Sequence, residues 1–266
     1  MMPQATRDFE SARPKAAPGK GKAVLITGST VGIGYEFAKL FARDGYALVL
    51  VARDEAALRR VAEELAGQYK AEVKVIAKDL SLPAAVRDLY DELEGAGIAI
   101  DVLVNNAGFG VMGPFATTSV EKELAMMELH MVSLTYLTKL FLHPMLARGA
   151  GKILNVASTA AFQPGPFMAV YYASKAYVLS FSEALASEVR GSGVTVSVLC
   201  PGPTRREFHQ RAGIPASELF QRLAVDPEVV AAAGYEGLER GQTVIIPGCV
   251  NKMFALGVRL VPRAWV

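Results

Sequence analysis

Short apolar segments alternate with helix-like segments along almost the whole chain. The apolar segments predict seven strands, at residues 23–27, 47–52, 73–77, 102–104, 152–156, 195–199 and 243–246. The helices predicted between them cover residues 35–42, 54–68, 82–94, 120–146 and 169–190. Apolar strands that alternate with helices indicate a parallel sheet covered on both faces. The sequence therefore predicts one α/β domain with a doubly wound parallel sheet of about seven strands.

A glycine-rich turn follows the first predicted strand. Gly28, Gly32 and Gly34 have the spacing G-x-x-x-G-x-G, and a helical pattern begins directly after them. Glycines at such a turn let the backbone approach a pyrophosphate, which then lies at the positive end of the helix. A glycine turn before a helix can also be purely structural. In this strand–turn–helix context it favours a dinucleotide site and a Rossmann fold.

Three polar side chains indicate carbonyl chemistry. Ser158 follows a predicted strand, and Tyr171 and Lys175 lie 13 and 17 residues further on, in a predicted helix. Tyr171 and Lys175 are four residues apart, so both side chains leave the same face of the helix. A nearby ammonium favours ionisation of a phenol. A serine hydroxyl beside them would hold a carbonyl oxygen while the phenol donates a proton.

Several polar, glycine or proline residues are predicted at the carboxyl ends of strands, which is the edge where open α/β sheets bind ligands. They are Thr27, Gly28, Arg53, Asp79, Asn105, Ser158, Pro201 and Gly202. Their shared position predicts one site along this edge of the sheet.

Composition excludes several other classes of protein. The chain has 266 residues, 52% of them hydrophobic, and a net charge of +2, which gives no indication of a nucleic-acid partner. Its two cysteines, Cys200 and Cys249, indicate no disulfide framework. No apolar segment has transmembrane length, and no metal site is predicted. A cytoplasmic location is expected.

The chain divides into three predicted parts. Residues 1–21 are polar and lack an apolar signal-peptide core, so we expect a flexible extension. Residues 22–248 form the Rossmann domain, including a substrate lid at about 203–225 where the regular pattern stops. Residues 249–266 form an apolar C-terminal segment. This segment is interpreted as a subunit contact, a flap over the pocket or a contact with a membrane surface.

These motifs together resemble the short-chain dehydrogenase/reductase family over about residues 22–247. The shared motifs are the glycine turn, Asp79, residues 105–108 (Asn-Asn-Ala-Gly), Ser158, Tyr171-x-x-x-Lys175 and Pro201-Gly202. Residues 155–158 and 201–204, with the Pro-Gly-x-x-Asn-Lys segment at 247–252, resemble the ketoacyl and hydroxysteroid reductase branch. Family members usually pair through their long helices, so a homodimer or homotetramer is expected.

The resemblance implies a role for each matched residue. Tyr171 is expected to donate the proton in reduction, Lys175 to lower the phenol's pKa and hold the ribose of the cofactor, and Ser158 to bind the substrate oxygen. Asp79 would meet the adenine, and Asn105 would support the sheet beside the cofactor. The full set of expected cofactor-binding residues is Gly28, Thr30, Gly32, Ile33, Gly34, Arg53, Asp79, Leu80, Asn105, Ala107, Gly108, Tyr171, Lys175, Pro201, Gly202 and Thr204.

The residues at the end of the second predicted strand indicate which cofactor is preferred. A carboxylate at its end would bind the ribose 2′-hydroxyl of NAD, whereas an arginine would accept a 2′-phosphate. Ala52 occupies the carboxylate position and Arg53 follows it, so NADP(H) is predicted; the alternative is that Arg53 is a solvated charge before the next helix. The predicted function is an NADPH-dependent reductase of small apolar ketones, including 3-oxoacyl thioesters or hydroxysteroid-like compounds. The alternatives are an NAD-dependent secondary alcohol dehydrogenase and a weakly catalytic NADP(H)-binding scaffold.

Two positions depart from the family pattern. His130 occupies the place of an Asn that completes a proton relay in many members. An imidazole there would substitute as a hydrogen-bonding or proton-shuttling group, or would face the pocket with a weakened relay. Arg206 replaces a frequent Thr and is interpreted as a solvated charge of the lid or as a contact for an anionic substrate.

Overall fold

A seven-stranded parallel sheet forms the centre of the computed structural model, which describes residues 17–204 and 224–260. The strand order is β3-β2-β1-β4-β5-β6-β7. The strands are β1 (Ala23–Thr27), β2 (Ala47–Ala52), β3 (Val73–Ala77), β4 (Val102–Asn105), β5 (Gly151–Val156), β6 (Val194–Leu199) and β7 (Val244–Ile245). The chain order reverses direction between β1 and β4, which is the point where doubly wound sheets form a ligand crevice.

Helices cover both faces of the sheet, as predicted. They are α1 (Gly32–Arg43), α2 (Glu55–Tyr69), α3 (Ala85–Gly95), α4 (Val120–Met127), α5 (Leu134–Ala147), α6 (Ala169–Glu188), α7 (Pro227–Glu239) and α8 (Cys249–Leu260). One apolar core packs α1, α2 and α7 on the sheet, and a second packs α3 and α5 on the other face. Since β1 contributes Val24 and Ile26 to the first core and Leu25 to the second, its side chains alternate between two buried faces.

Several predicted boundaries are wrong, and the helix predicted from residue 35 already begins at Gly32. The continuous helix at 120–146 is interrupted by a π-helical turn, Glu128–Ser133, between α4 and α5. The helix predicted from residue 82 begins only at Ala85, because the Asp79 side chain instead accepts hydrogen bonds from the Ser81 N–H and hydroxyl at 3.0 and 2.7 Å. The last strand covers only two of the four residues predicted for it.

The predicted extension and lid lie partly outside the described residues. Of residues 1–21, only 17–21 are described, and the Gly19 N–H donates to the Asp44 carbonyl at 2.9 Å. Of the lid, Thr204 and Val225 form a parallel bridge, whereas residues 205–223, with Arg206 and Phe208, are not described. In the parts that are described, no helix combines the length and apolarity needed to span a bilayer.

Candidate active site

A cavity of about 670 Å³ opens at the carboxyl edge of the sheet. The glycine turn forms one side of it, α6 and the end of β5 form another, and α8 lies across it. The predicted site residues that line this cavity are Gly28, Gly32, Ile33, Ala107, Gly108, His130, Ser158, Tyr171, Lys175, Pro201, Gly202 and Thr204. Residues that are far apart in the sequence therefore line the same cavity.

The glycine turn has a backbone that other residues would not tolerate. Gly28 and Gly32 have φ values of 69° and 63°, in the left-handed region that favours glycine. A Cβ on Gly34 would overlap the Gly28 carbonyl oxygen and come within 2.5 Å of Asn106 Nδ2. The glycines thus allow the first turn of α1 to approach β1 and the loop after β4.

Thr27 and Asn106 connect the glycine turn to β4, a role that the sequence prediction missed. Asn106 Nδ2 donates to the carbonyls of Thr27 and Gly28 at 3.0 and 3.1 Å. In return, Thr27 Oγ1 accepts from the backbone N–H groups of Asn106 and Ala107 at 3.0 and 2.9 Å. The Asn-Asn-Ala-Gly motif was the available signal, but it did not tell which asparagine would contact the turn.

This turn fits a dinucleotide phosphate group. The backbone of Gly28 and Gly32 lines the cavity, and the first turn of α1 begins there with no acidic side chain. The N-cap residue, Val31, places no side-chain hydrogen bond on the free N–H groups of the helix. Unfilled backbone donors at the positive end of a helix are suited to an anion.

Ser158 lies immediately after β5 and next to α6. Its Oγ accepts from the Ala160 N–H at 3.1 Å and faces the Pro201 carbonyl at 3.4 Å, which fixes the hydroxyl beside the cavity. A hydrogen bond also joins its side chain to the Tyr171 phenol. The predicted meeting of these two hydroxyl groups is therefore present in the structure.

Tyr171 is buried, and burial raises the pKa of its phenol to about 12. The hydrogen bond with Ser158 lowers the pKa by a smaller amount. This direction is opposite to the lowering that the sequence pattern predicted, because loss of solvent around the phenolate outweighs the stabilising contacts. At neutral pH the phenol keeps its proton and is available as an acid.

Lys175 is held at the base of the cavity. Its Nζ donates to the Val156 carbonyl at 3.0 Å and lies 5.8 Å from the centre of the Tyr171 ring. Burial lowers the pKa of this ammonium from 10.5 to about 8. Its proton is thus held less tightly than on an exposed lysine, at a pH where the phenol is still neutral.

The remaining predicted residues lie beside the cavity or away from it. Arg53 is largely exposed, with its guanidinium 3.9 Å from the Asp79 carboxylate. The Leu80 carbonyl accepts from the Ser133 hydroxyl at 2.5 Å. Asn105 donates to Asn155 Oδ1 at 2.9 Å and to Thr138 Oγ1 at 3.1 Å, which supports the pairing of β4 with β5. Members of the predicted set that do not line the cavity are Thr30, Gly34, Arg53, Asp79, Leu80 and Asn105.

The C-terminal helix α8 forms part of the cavity wall through Asn251, Phe254, Ala255 and Val258. Of the three interpretations of this segment, a flap over the pocket agrees with this position. Asn251 is placed by donating to the Pro247 carbonyl at 2.7 Å, and it packs against Gly202, where a Cβ would come within 2.6 Å of its Oδ1. The Pro-Gly-x-x-Asn-Lys pattern signalled this segment without indicating that it packs on Gly202.

Apolar side chains form part of the cavity lining. Phe109, Phe162, Met168 and Tyr172 line it, whereas Phe167 is 61% exposed and does not. Within the described residues, no group of three or more His, Cys, Asp or Glu side chains is arranged to hold a metal ion. The polar groups that line the cavity include the Ser158 and Tyr171 hydroxyls, the Lys175 ammonium and the His130 imidazole.

Comparisons of sequence and of structure both find short-chain dehydrogenases among the proteins similar to this chain. A sequence profile described as short chain dehydrogenase matches residues 22–214. The very-long-chain 3-oxoacyl-CoA reductase of Anas platyrhynchos is 35% identical over 241 residues, covering 88% of this chain and 75% of that protein. A Sphingobium yanoikuyae short-chain dehydrogenase solved with NADPH is 33% identical, with a TM-score of 0.81 over 90% of this chain and 94% of that one. A Burkholderia phymatum short-chain dehydrogenase/reductase solved with NAD is 29% identical, with a TM-score of 0.77 over 91% and 93%.

Proposed function

The chain belongs to the short-chain dehydrogenase family, and from this membership we propose that it is an NADPH-dependent reductase of apolar ketones. Membership makes it an oxidoreductase that interconverts C=O and CH–OH groups. The observation that carries the finer proposal is the buried, protonated phenol of Tyr171, hydrogen-bonded to Ser158 at the wall of an apolar cavity. A phenol whose pKa is about 12 is an acid at neutral pH, which suits reduction.

Ser158 and Tyr171 have different roles at the substrate carbonyl. The Ser158 hydroxyl donates a hydrogen bond to the carbonyl oxygen and holds it next to the Tyr171 phenol. As the carbon is reduced, negative charge develops on the oxygen, and the phenol proton moves to it. In the oxidative direction the same phenolate would take the proton back.

Lys175 stabilises the charge that Tyr171 acquires. Its ammonium lies on the same face of α6, and its bond to the Val156 carbonyl fixes its position. In a buried site an ammonium interacts strongly with a phenolate, because little water screens the charges. Lys175 thereby lowers the cost of transferring the phenol proton in a cavity that otherwise favours neutral phenol.

The cofactor proposal depends on the glycine turn and Arg53. A bound NADPH supplies the hydride in the reaction. The N–H groups at the start of α1 would hold its pyrophosphate, Lys175 its nicotinamide ribose and Arg53 its 2′-phosphate. Arg53 is suited to the last role because its guanidinium is exposed and its 3.9 Å contact with Asp79 is weak enough to be exchanged.

Arg53→Ala is expected to lower the preference for NADPH over NADH by about tenfold to a hundredfold, because one charge-assisted contact to phosphate is lost. The measurement is the ratio of kcat/KM for the two cofactors with one ketone. Arg60→Ala, which removes an exposed arginine from α2, is the matched control and keeps the ratio. An unchanged ratio in Arg53→Ala would remove Arg53 from the phosphate site.

The pH dependence of cofactor capture follows from Lys175. We expect kcat/KM for NADPH, which reports ionisations of the free enzyme, to fall as the pH rises through about 8. The reason is that burial lowers the pKa of the ammonium to about 8, so it loses its proton there, whereas Tyr171 remains protonated up to about 12. The Lys175→Arg variant is expected to be less active than the wild type. Because its guanidinium stays charged, its kcat/KM for NADPH should not fall as the pH rises through about 8. A flat wild-type profile to about pH 10 contradicts this assignment.

A substrate screen tests the function as a whole. Apolar residues around the cavity, and the similarity to a 3-oxoacyl-CoA reductase, favour substrates with a ketone next to an apolar chain. NADPH oxidation would be followed with acetoacetyl-coenzyme A and longer 3-oxoacyl thioesters, a steroid ketone and an aryl ketone. Turnover that increases with the apolar chain supports the proposal. Tight NADPH binding without turnover of any class would instead favour a binding protein.

A further inference from the structure

His130 lies in the π-helical turn between α4 and α5 and is 1% exposed. Both of its ring nitrogens have protein partners. Nε2 lies 3.2 Å from the backbone nitrogen of Phe109, and Nδ1 lies 3.0 Å from Ser174 Oγ. A neutral imidazole has one donor nitrogen and one acceptor, so these partners determine where its proton is.

The hydrogen-bond network assigns the proton to Nδ1. A backbone N–H can only donate, so Nε2 must accept from Phe109. The single hydroxyl proton of Ser174 is directed to the Tyr171 carbonyl at 2.7 Å, so Ser174 Oγ must accept from His130. The neutral ring with its proton on Nδ1 satisfies every one of these groups.

We propose that His130 is a neutral positioning residue that connects the loop after β4 to α6 and carries no proton in the reaction. One end of this connection is Phe109, beside the Ala107 and Gly108 backbone of the cofactor cavity. The other end is the first turn of α6, at the carbonyl of Tyr171 itself. The inference rests on the proposed function, because it concerns how the two halves of that site are kept in register.

The surroundings of the ring oppose a second proton. Protonation of Nε2 would place two N–H donors against each other at Phe109. The titratable side chains that face the ring, Tyr171 and Lys175, both come from α6, whereas the loop faces it with Gly108 and Phe109. Burial lowers the pKa of His130 well below its ordinary value, and the charge on Lys175 lowers it further.

Gly108 makes room for the imidazole. A Cβ at this position would lie 2.8 Å from His130 Nε2 and 3.6 Å from Lys175 Nζ. The ring therefore fills the space that this glycine leaves beside the lysine. Turning the ring over would break its hydrogen bonds with both the Phe109 N–H and Ser174 Oγ, so these partners hold it in one orientation.

Nitrogen NMR of the ring gives the direct test, using the full chain without cofactor. We expect the ¹⁵N shifts of His130 to report the neutral Nδ1–H tautomer from about pH 5 to about pH 9, and the spectrum of His130→Asn to assign those signals by their loss. A ring that takes up a proton in this range, or carries its proton on Nε2, overturns the proposal. This readout needs no turnover, so it remains decisive if the proposed reductase activity fails.

Three substitutions then distinguish a positioning role of His130 from a role in proton transfer. His130→Asn keeps a donor near Ser174 and leaves space for water to accept from Phe109, so turnover should stay close to that of the wild type. His130→Phe fills the space and leaves the Phe109 N–H unpaired, so NADPH binding should weaken by about tenfold. His143→Asn, at an exposed position of α5, is the control. All active variants should share one pH profile of kcat; loss of an inflection in His130→Asn, or wild-type NADPH affinity in His130→Phe, contradicts the proposal.

Discussion

Tyr171→Phe is expected to reduce the turnover of ketone reduction by at least about a hundredfold, since general acid catalysis by a positioned group contributes about that much or more. The substitution removes only the hydroxyl, so the ring still packs in its buried place on α6. Binding of NADPH should therefore be retained within a factor of about three, because Lys175 and the glycine turn are unchanged. Steady-state NADPH oxidation and a fluorescence titration of the cofactor measure the two quantities.

Tyr172→Phe is the matched control for this experiment. Tyr172 is the next residue and also lines the cavity, and its ring packs where a Cβ on Gly165 would be. Loss of its hydroxyl should leave kcat nearly unchanged and affect only the KM of ketones that touch it. If Tyr171→Phe kept most of its turnover while Tyr172→Phe lost it, the proton donor would be Tyr172.

Gly34→Ala is expected to weaken both the cofactor site and the fold. The new methyl group would overlap the Gly28 carbonyl and crowd Asn106 Nδ2, so either the start of α1 or the loop after β4 must move. Overpacking of this kind costs about 1–3 kcal/mol, and the displaced turn should bind NADPH at least about tenfold more weakly. Thermal unfolding with and without NADPH measures both effects.

Gly67→Ala is the same chemical change as Gly34→Ala, but it is expected to stabilise the fold slightly rather than to destabilise it. Gly67 lies in α2, is exposed, and nothing lies within 4 Å of a Cβ placed there. Alanine is favoured over glycine within a helix by about 1 kcal/mol, so this variant should be slightly more stable and bind NADPH normally. Equal melting temperatures and equal NADPH affinity in the two variants would show that Gly34 is not a close-packed position.

Much of the fold was predictable because the local patterns agree with the global arrangement. The central strands β1, β2, β4, β5 and β6 are largely buried, and Asp54, at the predicted start of α2, accepts from the Ala57 N–H at 2.9 Å. The π-helical turn was not predictable from periodicity, because its wider turn changes the register only within Glu128–Ser133. The structure places both His130 and Ser133 of this turn in buried positions.

The candidate site was predictable as a set of residues, but less so in its electrostatics. The four-residue spacing predicted that Tyr171 and Lys175 share one face of a helix, and the family motif predicted that Ser158 lies beside them. Spacing does not include burial, and burial is what raises the pKa of the phenol to about 12 and lowers that of the ammonium to about 8. Asn251 was missed for a related reason, since its contact with Gly202 depends on how α8 crosses the cavity.

The contact between Thr27 and the loop after β4 has a consequence for biosynthesis. The partners of its hydroxyl lie 79 and 80 residues downstream, and β1 pairs with β4 only when that stretch has been made. A ribosome-bound chain therefore holds the glycine turn for a long interval without the groups that shape it, since distant pairings form late. A ligand that binds only the complete site would therefore stabilise the chain only after β1 and β4 have paired.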